Sequence, residues 1–308
     1  MGRCRVTILV LAAVALAGCA GDEPSIDPLV TEEETGTPDS TAPSSGSATT
    51  SPTTTSATET TGERTRWPVP LASLAPDAPA EWSVDVLATA PHDPEAFTQG
   101  LELLDDGRLI ESTGRRGLSD VRIVDPQTGN VEASQSLEPQ EFGEGLTIVD
   151  DTVIQLTWQE EVARRWTVDD LAPLPSFTYE GEGWGLCALD DRLAMTDGSA
   201  TLTWRDPVTF AIVETVQVTR AGVPVERLNE LECVDGHVVA NIWQTSEIVV
   251  IEPAGAVVAT IDATVLVEAV ATDDPNAVLN GIAAHRDGTF SLTGKLWPTR
   301  FLVQVVAG

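Results

Sequence analysis

A short marker recurs five times in the later two-thirds of the chain, and it limits the fold more than any other feature. It reads Gln99-Gly-Leu, Glu144-Gly-Leu, Trp184-Gly-Leu, Asn229-Glu-Leu and Asn280-Gly-Ile, at spacings of 45, 40, 45 and 51 residues. Between copies, short apolar runs alternate with turn dipeptides. Leu103-Leu-Asp-Asp-Gly-Arg-Leu-Ile110 is one case, and Val121-Arg-Ile-Val124 followed by Asp125-Pro-Gln-Thr-Gly129 is another. Such runs read as strands joined by tight turns. Helical periodicity is nearly absent, and only one short helix is predicted, around Ala263–Val270. A repeat of about 40–50 residues carrying four short strands predicts an all-β, five-bladed β-propeller. The last unit, Asn280 to Gly308, is one strand short. Glu81-Trp-Ser-Val-Asp-Val-Leu87 is predicted to supply that outer strand and close the ring, which removes exposed sheet edges.

A second register runs with the first. Fourteen residues after Gln99, Glu144 and Asn229 stand Thr113, Trp158 and Trp243, and Lys295 follows Asn280 by fifteen; the step from Trp184 reaches Gly198, beside Asp197. In a propeller, equivalent positions of all blades face one axial mouth. The predicted mouth therefore collects Gln99, Glu144, Trp184, Asn229, Asn280, Trp158, Trp243 and Lys295. The glycines and leucines of the marker need only mark strand starts. The residues before them are Gln, Glu, Trp, Asn and Asn, a polar and aromatic set that packing alone does not call for.

Composition narrows the function. Of 308 residues, 42% are hydrophobic, enough for a core and too many for a disordered or collagenous chain. Only one stretch, near the N-terminus, is continuously apolar, which excludes a polytopic membrane protein. The net charge of −31 would repel phosphate backbones, which excludes nucleic acid as a partner.

That apolar stretch, Val6–Ala17, follows Arg3 and Arg5 and ends in Leu16-Ala17-Gly18-Cys19. It has the length of a signal-peptide core and is too short to span a bilayer. Its end resembles a bacterial lipobox, which implies a signal peptide over 1–18, cleavage before Cys19 and lipid attachment there. The protein is then expected on the outer face of the bacterial cytoplasmic membrane. Between Thr37 and Gly62, 16 of 26 residues are Ser or Thr and three are Pro. Such a segment buries too little apolar surface to fold, so residues 19–66 are expected to form a disordered tether and 67–308 the propeller. Of the remaining cysteines, Cys187 and Cys233 either pair outside the cell or stay as buried thiols. The three histidines are scattered, and neither a CxxC pair nor a ligand cluster points to a metal.

Seven motifs occur in order: Pro91-His-Asp-Pro-Glu-Ala-Phe-Thr-Gln-Gly-Leu101, Phe142-Gly-Glu-Gly-Leu146, Gly183-Trp-Gly-Leu186, Leu228-Asn-Glu-Leu-Glu232, Asn241-Ile-Trp-Gln-Thr245, Leu279-Asn-Gly-Ile282 and Thr293-Gly-Lys-Leu-Trp-Pro298. Over about residues 90–306 the chain resembles the plant- and bacterial-type glutaminyl-peptide cyclotransferases, which are five-bladed propellers unrelated to the animal zinc enzyme of the same activity. The resemblance implies an acyltransferase that converts N-terminal glutamine of a peptide or protein to pyroglutamate with release of ammonia, without cofactor or catalytic metal, as a monomer.

That reaction needs a neutral amine, a folded side chain, oxyanion stabilisation and a proton for ammonia. Glu144 is the candidate base for an α-ammonium of pKa about 7.7–8. Lys295, the only lysine beside 16 arginines, would bind the carboxamide oxygen or tune Glu144, with a point charge that Arg does not match. Asn229 and Gln99 would hydrogen-bond the carboxamide or amine. Phe97, Phe142, Trp158, Trp184 and Trp243, with Gln244 beside them, would enclose the side chain. Trp67, Trp82, Trp166 and Trp204 fall outside the motifs and are expected in the core. Two other readings stay open: a non-catalytic envelope propeller binding peptide or carbohydrate, and a metal-dependent propeller hydrolase, for which only Glu144 and Asp197 offer ligands at the mouth.

Overall fold

The computed structural model describes residues 65–308. The signal peptide, Cys19 and all but the last two residues of the expected tether lie outside the described residues.

The described chain is all-β apart from one 3-10 turn, Leu71–Ser73, and one short helix, α1 (Thr264–Val270). A long strand, β1 (Ala80–Pro91), comes first. Three four-stranded antiparallel sheets follow. The first holds β2 (Thr98–Leu103), β3 (Leu109–Thr113), β4 (Asp120–Val124) and β5 (Val131–Ser136). The second holds β6 (Gly143–Val149), β7 (Thr152–Thr157), β8 (Val162–Thr167) and β9 (Pro173–Thr178). The third holds β10 (Leu186–Leu189), β11 (Arg192–Met195), β12 (Thr201–Arg205) and β13 (Ile212–Gln217). A small hairpin, β14 (Thr219–Arg220) and β15 (Val223–Pro224), leads to β16 (Leu228–Val234), β17 (His237–Ile242), β18 (Glu247–Ile251) and β19 (Val257–Asp262). The last strands are β20 (Leu279–Ala284), β21 (Phe290–Gly294) and β22 (Thr299–Ala307).

β1 does the closing expected of Glu81–Leu87, and over a longer span. It pairs antiparallel with β22 from Trp82↔Ala307 to Pro91↔Thr299, and parallel with β19 over Ala80–Ser83. These pairings fuse the last two repeats into one eight-stranded sheet, ordered β16-β17-β18-β19-β1-β22-β21-β20. The first strand of each repeat neighbours the next in a cycle, β2 to β6, β6 to β10, β10 to β16, β16 to β20 and β20 back to β2. The arrangement is propeller-like. Burial follows from it: β3 is wholly buried, while the outer strand β5 is almost wholly exposed and polar.

Apolar clusters sit where neighbouring sheets face each other. Ile110 and Ile123 of the first sheet pack with Val153 and Trp166 of the second. Trp204 packs between the third and fourth repeats with Val238 and Val249. Trp67 stacks on Trp82 at 5.6 Å within the cluster that holds Phe290 and Phe301. The four tryptophans outside the motifs are therefore core residues. Cys187 and Cys233 are joined as a disulfide from β10 to β16, with Cα atoms 5.4 Å apart.

The glycines of the marker have a steric reason at the hub. A Cβ on Gly145 would lie 2.6 Å from the Trp184 carbonyl oxygen and 2.7 Å from Gly185 Cα, and one on Gly100 would lie 2.6 Å from Leu146 N. Each glycine thus lets its inner strand approach the next repeat's marker. The fourth repeat carries Glu230 instead. That side chain is buried and reaches across the hub, where it accepts the Leu101 N–H at 3.3 Å.

Candidate active site

The strand pairing in four repeats shifts by one residue where the marker lies, between Thr98 and Gly100, Gly143 and Leu146, Leu228 and Leu231, and Leu279 and Ile282. These are β-bulges, which re-aim the extra residue's side chain out of the regular alternation. The bulged residues include Gln99, Glu144, Asn229 and Asn280. Each is under 6% exposed, and they sit at the same end of a ring of adjacent strands.

The second register also closes on this end. Trp158 N–H bonds the Phe142 carbonyl, Trp243 N–H that of Arg227, and Lys295 N–H that of Val278, each at 2.9 Å. The first repeat corrects the sequence spacing. There the equivalent bond, 2.8 Å to the Phe97 carbonyl, comes from Gly114. Thr113 instead donates to Asp120 at 2.6 Å, away from the register position. Gly114 is required because the Phe142 ring fills the space its Cβ would take, just as the Trp184 ring lies against Gly198.

A cup results. Its wall is five half-buried aromatics in two edge-packed groups: Phe97 on Phe142 at 5.9 Å and Phe142 on Trp158 at 5.7 Å, then Trp184 on Trp243 at 5.5 Å. Its floor is polar and buried. Asn280 Nδ2 donates to the Thr98 carbonyl at 2.9 Å and to Gln99 Oε1 at 3.3 Å, and Gln99 Nε2 donates to Glu144 Oε1 at 3.2 Å. Gln99 is thus engaged with Glu144 and is oriented from behind by Asn280. Asn229 Oδ1 and Asn280 Oδ1 are buried without a protein partner. Lys295 Nζ lies 4.8 Å from the centre of the Phe97 ring, within cation–π range. Gln244 is exposed on the turn after Trp243, at a φ of 61°.

Burial dominates the protonation of the two charged floor groups. It drives the Glu144 carboxyl well above its ordinary value; Lys295 opposes this, while Glu182 and Glu160 add to it. Burial also lowers Lys295 to about 8, against the pull of Glu144. Among the described residues no ion pair joins the two directly, and burial shifts both toward their neutral forms, the amine staying protonated below about pH 8.

Sequence reasoning missed two supporting groups. Glu182, directly before the Gly183-Trp-Gly-Leu motif, accepts both Trp158 Nε1 at 2.9 Å and Trp184 Nε1 at 3.0 Å on a single oxygen. Behind Phe97, His92 contacts the Trp297 carbonyl at 2.6 Å and Glu111 at 3.0 Å, and Glu111 also bonds Thr98 and Arg122. His92 N–H further bonds the Pro298 carbonyl, and Leu296 N–H that of Ala96. The network therefore stitches the Lys295 turn to the strand that carries Phe97 and Gln99. His92 lay within a quoted motif; Glu111 and Arg122 gave no local signal, because they meet only as cross-strand partners. Asp197 caps its own turn through Ser199. Among the described residues no group of three or more His, Cys, Asp or Glu side chains is placed to hold a metal ion.

Comparison with known proteins gives one answer. The sequence model of the glutamine cyclotransferase family matches residues 53–305. A curated relative, the glutaminyl-peptide cyclotransferase of Arabidopsis thaliana, is 36% identical over 227 residues, covering 72% of this chain and 71% of the relative. The crystal structure of Myxococcus xanthus glutaminyl cyclase superposes with a TM-score of 0.72 at 38% identity, covering 75% of this chain and 100% of that one. With the repeats, the polar floor and the aromatic wall in register, this chain belongs to the glutamine cyclotransferase family.

Proposed function

We propose that this protein is a glutaminyl-peptide cyclotransferase acting on peptides or proteins with N-terminal glutamine, and that its ring is a five-bladed propeller spanning residues 67–308. The observation that carries the reading is the chain of bonds from Asn280 through Gln99 to Glu144, with Lys295 beside it, at the base of an aromatic cup.

In the proposed mechanism the glutamine side chain curls between the aromatic walls, so that its α-amine faces its own amide carbon. Holding reacting atoms in this way supplies up to ~7–11 kcal/mol in favourable intramolecular models. The amine nitrogen attacks the carbon, and the carbonyl π electrons pass to oxygen. Lys295 and Asn229 donate to that oxygen; one such donor is typically worth about 3–4 kcal/mol. Glu144 takes the proton from the attacking nitrogen and returns it to the amide nitrogen. The C–N bond breaks, and pyroglutamate and ammonia leave. Burial suits Glu144 to both steps, because a raised carboxyl is a stronger base than an exposed one and its neutral form is held ready as an acid. Asn280 and Gln99 keep its oxygens aimed. This route assigns every proton and charge to side chains, so we read the catalysis as metal-independent. The walls exclude water, which would otherwise give glutamate.

We further propose export, lipid anchoring at Cys19 and a monomeric enzyme on a disordered tether. Trp67 Nε1 and Arg66 Nε both donate to Asp235, at 2.8 and 3.0 Å. Asp235 lies in the turn after β16, at the far end of that strand from Asn229, so the chain entering the domain is fastened on the face away from the cup.

Purified full-length protein incubated with Gln-initiated dipeptides, with and without chelator, tests the reading. Ammonia release unaffected by chelator is expected. No release would favour a non-catalytic binder of peptide or carbohydrate, and release abolished by chelator would refute the metal-independent route.

A further inference from the structure

Outside the marker and its second register, the side chain most tightly built into the cup is Glu182. It lies between Gly181, at a φ of 88°, and Gly183, whose hydrogen faces the Tyr179 hydroxyl and the Thr157 carbonyl, leaving no room for a Cβ. Gly183 N–H bonds the Trp158 carbonyl at 2.9 Å. The segment is thus pinned beside Trp158 before any side chain acts. From there the carboxylate spans the gap between the two aromatic groups. Oε2 receives both indole N–H groups, and Oε1 receives Gln159 Nε2 at 3.1 Å. The rings are held on their other sides: the Trp184 ring is packed against Gly198, and Trp158 has Phe142 at its edge and the Arg116 guanidinium 5.5 Å from its centre.

Resting on the cyclotransferase reading above, we infer that Glu182 is a positioning residue that ties Trp158 to Trp184, fixes the width of the cup, and adds its negative charge to the field at Glu144. A neutral oxygen could accept the same two bonds, but more weakly. An ionised oxygen with two well-placed lone pairs holds both, and charge-assisted bonds of this kind are stronger than neutral ones. Burial alone would raise the Glu182 carboxyl, but the bonds from Gln159, Trp184 and Trp158 outweigh it and lower it, so the group is ionised at neutral pH. Its charge is one of the causes that raise Glu144. Glu182 therefore acts on the reaction twice, through the walls and through the field, and the two effects separate by substitution.

Glu182→Gln keeps an amide oxygen that accepts both indoles, and the exposed Gln159 amide turns to accept from the new nitrogen. It removes the charge. Glu182→Ala removes both. Steady-state ammonia release from a Gln dipeptide is measured across pH with the full chain, beside near-UV circular dichroism and thermal unfolding of each variant. Glu182→Gln is expected to keep kcat at its pH optimum within about threefold, with the acid limb of the kcat profile moved to lower pH as Glu144 loses a like-charged neighbour. Glu182→Ala is expected to show the same shift, together with a fall of about 10–100-fold in kcat, since the walls then position the side chain less well. Its tryptophan near-UV signal should also change. An unshifted acid limb in both variants, or Glu182→Ala at wild-type kcat with an unchanged near-UV spectrum, overturns the inference. Wild-type protein that releases no ammonia would refute the cyclotransferase reading instead; the near-UV comparison then still decides whether Glu182 holds the indoles.

Discussion

Gly145→Ala tests the hub on which the shared site depends. At most glycines of ordinary φ, alanine stabilises by about 0.4–1 kcal/mol through the unfolded chain. Gly145 has no positive φ, so that gain applies. Against it stand three atoms of the neighbouring inner strand. The new Cβ would lie 2.6 Å from Trp184 O, 2.7 Å from Gly185 Cα and 2.8 Å from Leu186 N. All three are backbone, so no side-chain rotation relieves them, and β6 must move off β10. Forced overpacking costs typically about 1–3 kcal/mol, and three backbone clashes place this case at the upper end. The net loss is about 2 kcal/mol, or a Tm lower by roughly 4–8 °C for a domain of this size. The displaced strand carries Glu144 and pushes on Trp184, and a shift near 1 Å in such groups costs about 10²-fold in rate. Gly107→Ala is the control. Its φ is 91° and nothing lies within 4 Å of its Cβ, so it should lose about 1–2 kcal/mol from backbone strain alone and keep wild-type kcat. Thermal unfolding by circular dichroism and coupled ammonia release give both numbers. Gly145→Ala with unchanged Tm and a kcat within twofold of wild type would refute the close approach of the inner strands.

Three further outcomes follow from the site and its supports. Glu144→Gln should lower kcat by about 10²–10⁴-fold, the usual loss of a general acid–base, without loss of stability at neutral pH. Because the folded-state carboxyl is raised, the Glu144 contribution to wild-type stability is full below about pH 4.3 and is lost as pH rises through the folded value, a component of the pH slope that urea titrations of the variant should lack. Lys295 is lowered to about 8, so kcat/KM should fall on the alkaline side near that pH. Lys295→Arg should be slower yet lose that limb, and an alkaline limb surviving in it would assign the limb to another group. The Cys187–Cys233 link closes a loop of 46 residues. Loop-closure entropy then assigns it about 4 kcal/mol, so Cys187→Ala/Cys233→Ala should melt roughly 8–16 °C lower while keeping its kcat at 25 °C.

The periodicity in the sequence revealed the repeat, because four of the five repeats present a glycine to the neighbour at the hub and the fourth keeps the flanking residues in register. It also revealed which side chains share the cup, since equivalent positions of a ring have one axis in common. It could not reveal the bulges. Those add one residue to the inner strand in each of these repeats alike, so the longer step to Gly114, against fourteen to Trp158 and Trp243, comes from the hairpins: five residues, 104–108, join the paired ends of β2 and β3, whereas two, 150–151 and 235–236, join those of β6–β7 and β16–β17. Nor could it decide the disulfide, because Cys187 and Cys233 lie on different repeats and only the approach of β10 to β16 brings them within bonding reach.

What the sequence hid most completely is the difference between groups that face the substrate and groups that hold them. Gln99 and Asn229 were equal candidates to bond the carboxamide. In the structure Gln99 is engaged at both ends, with Asn280 and Glu144, whereas Asn229 Oδ1 has no protein partner. The same division separates the two buried carboxylates that flank Phe97 and Gln99. Burial pushes both upward. Glu111 ends near 2 because His92, Arg122 and Thr98 surround it, whereas Glu144 has the Gln99 bond and the Lys295 charge against two like charges. Glu111 is thus a fixed anion that braces the wall and the Lys295 turn. His92 completes that brace: burial would lower it, but the Glu111 charge and bond and the Trp297 carbonyl raise it instead. Its contribution is full below about pH 6.5 and fades as pH rises through the folded value. Of these two, Glu144 lacks such partners and is the one proposed to exchange a proton. Between this pair, partner count at burial, which only the fold determines, separates the proposed acid–base from the scaffold.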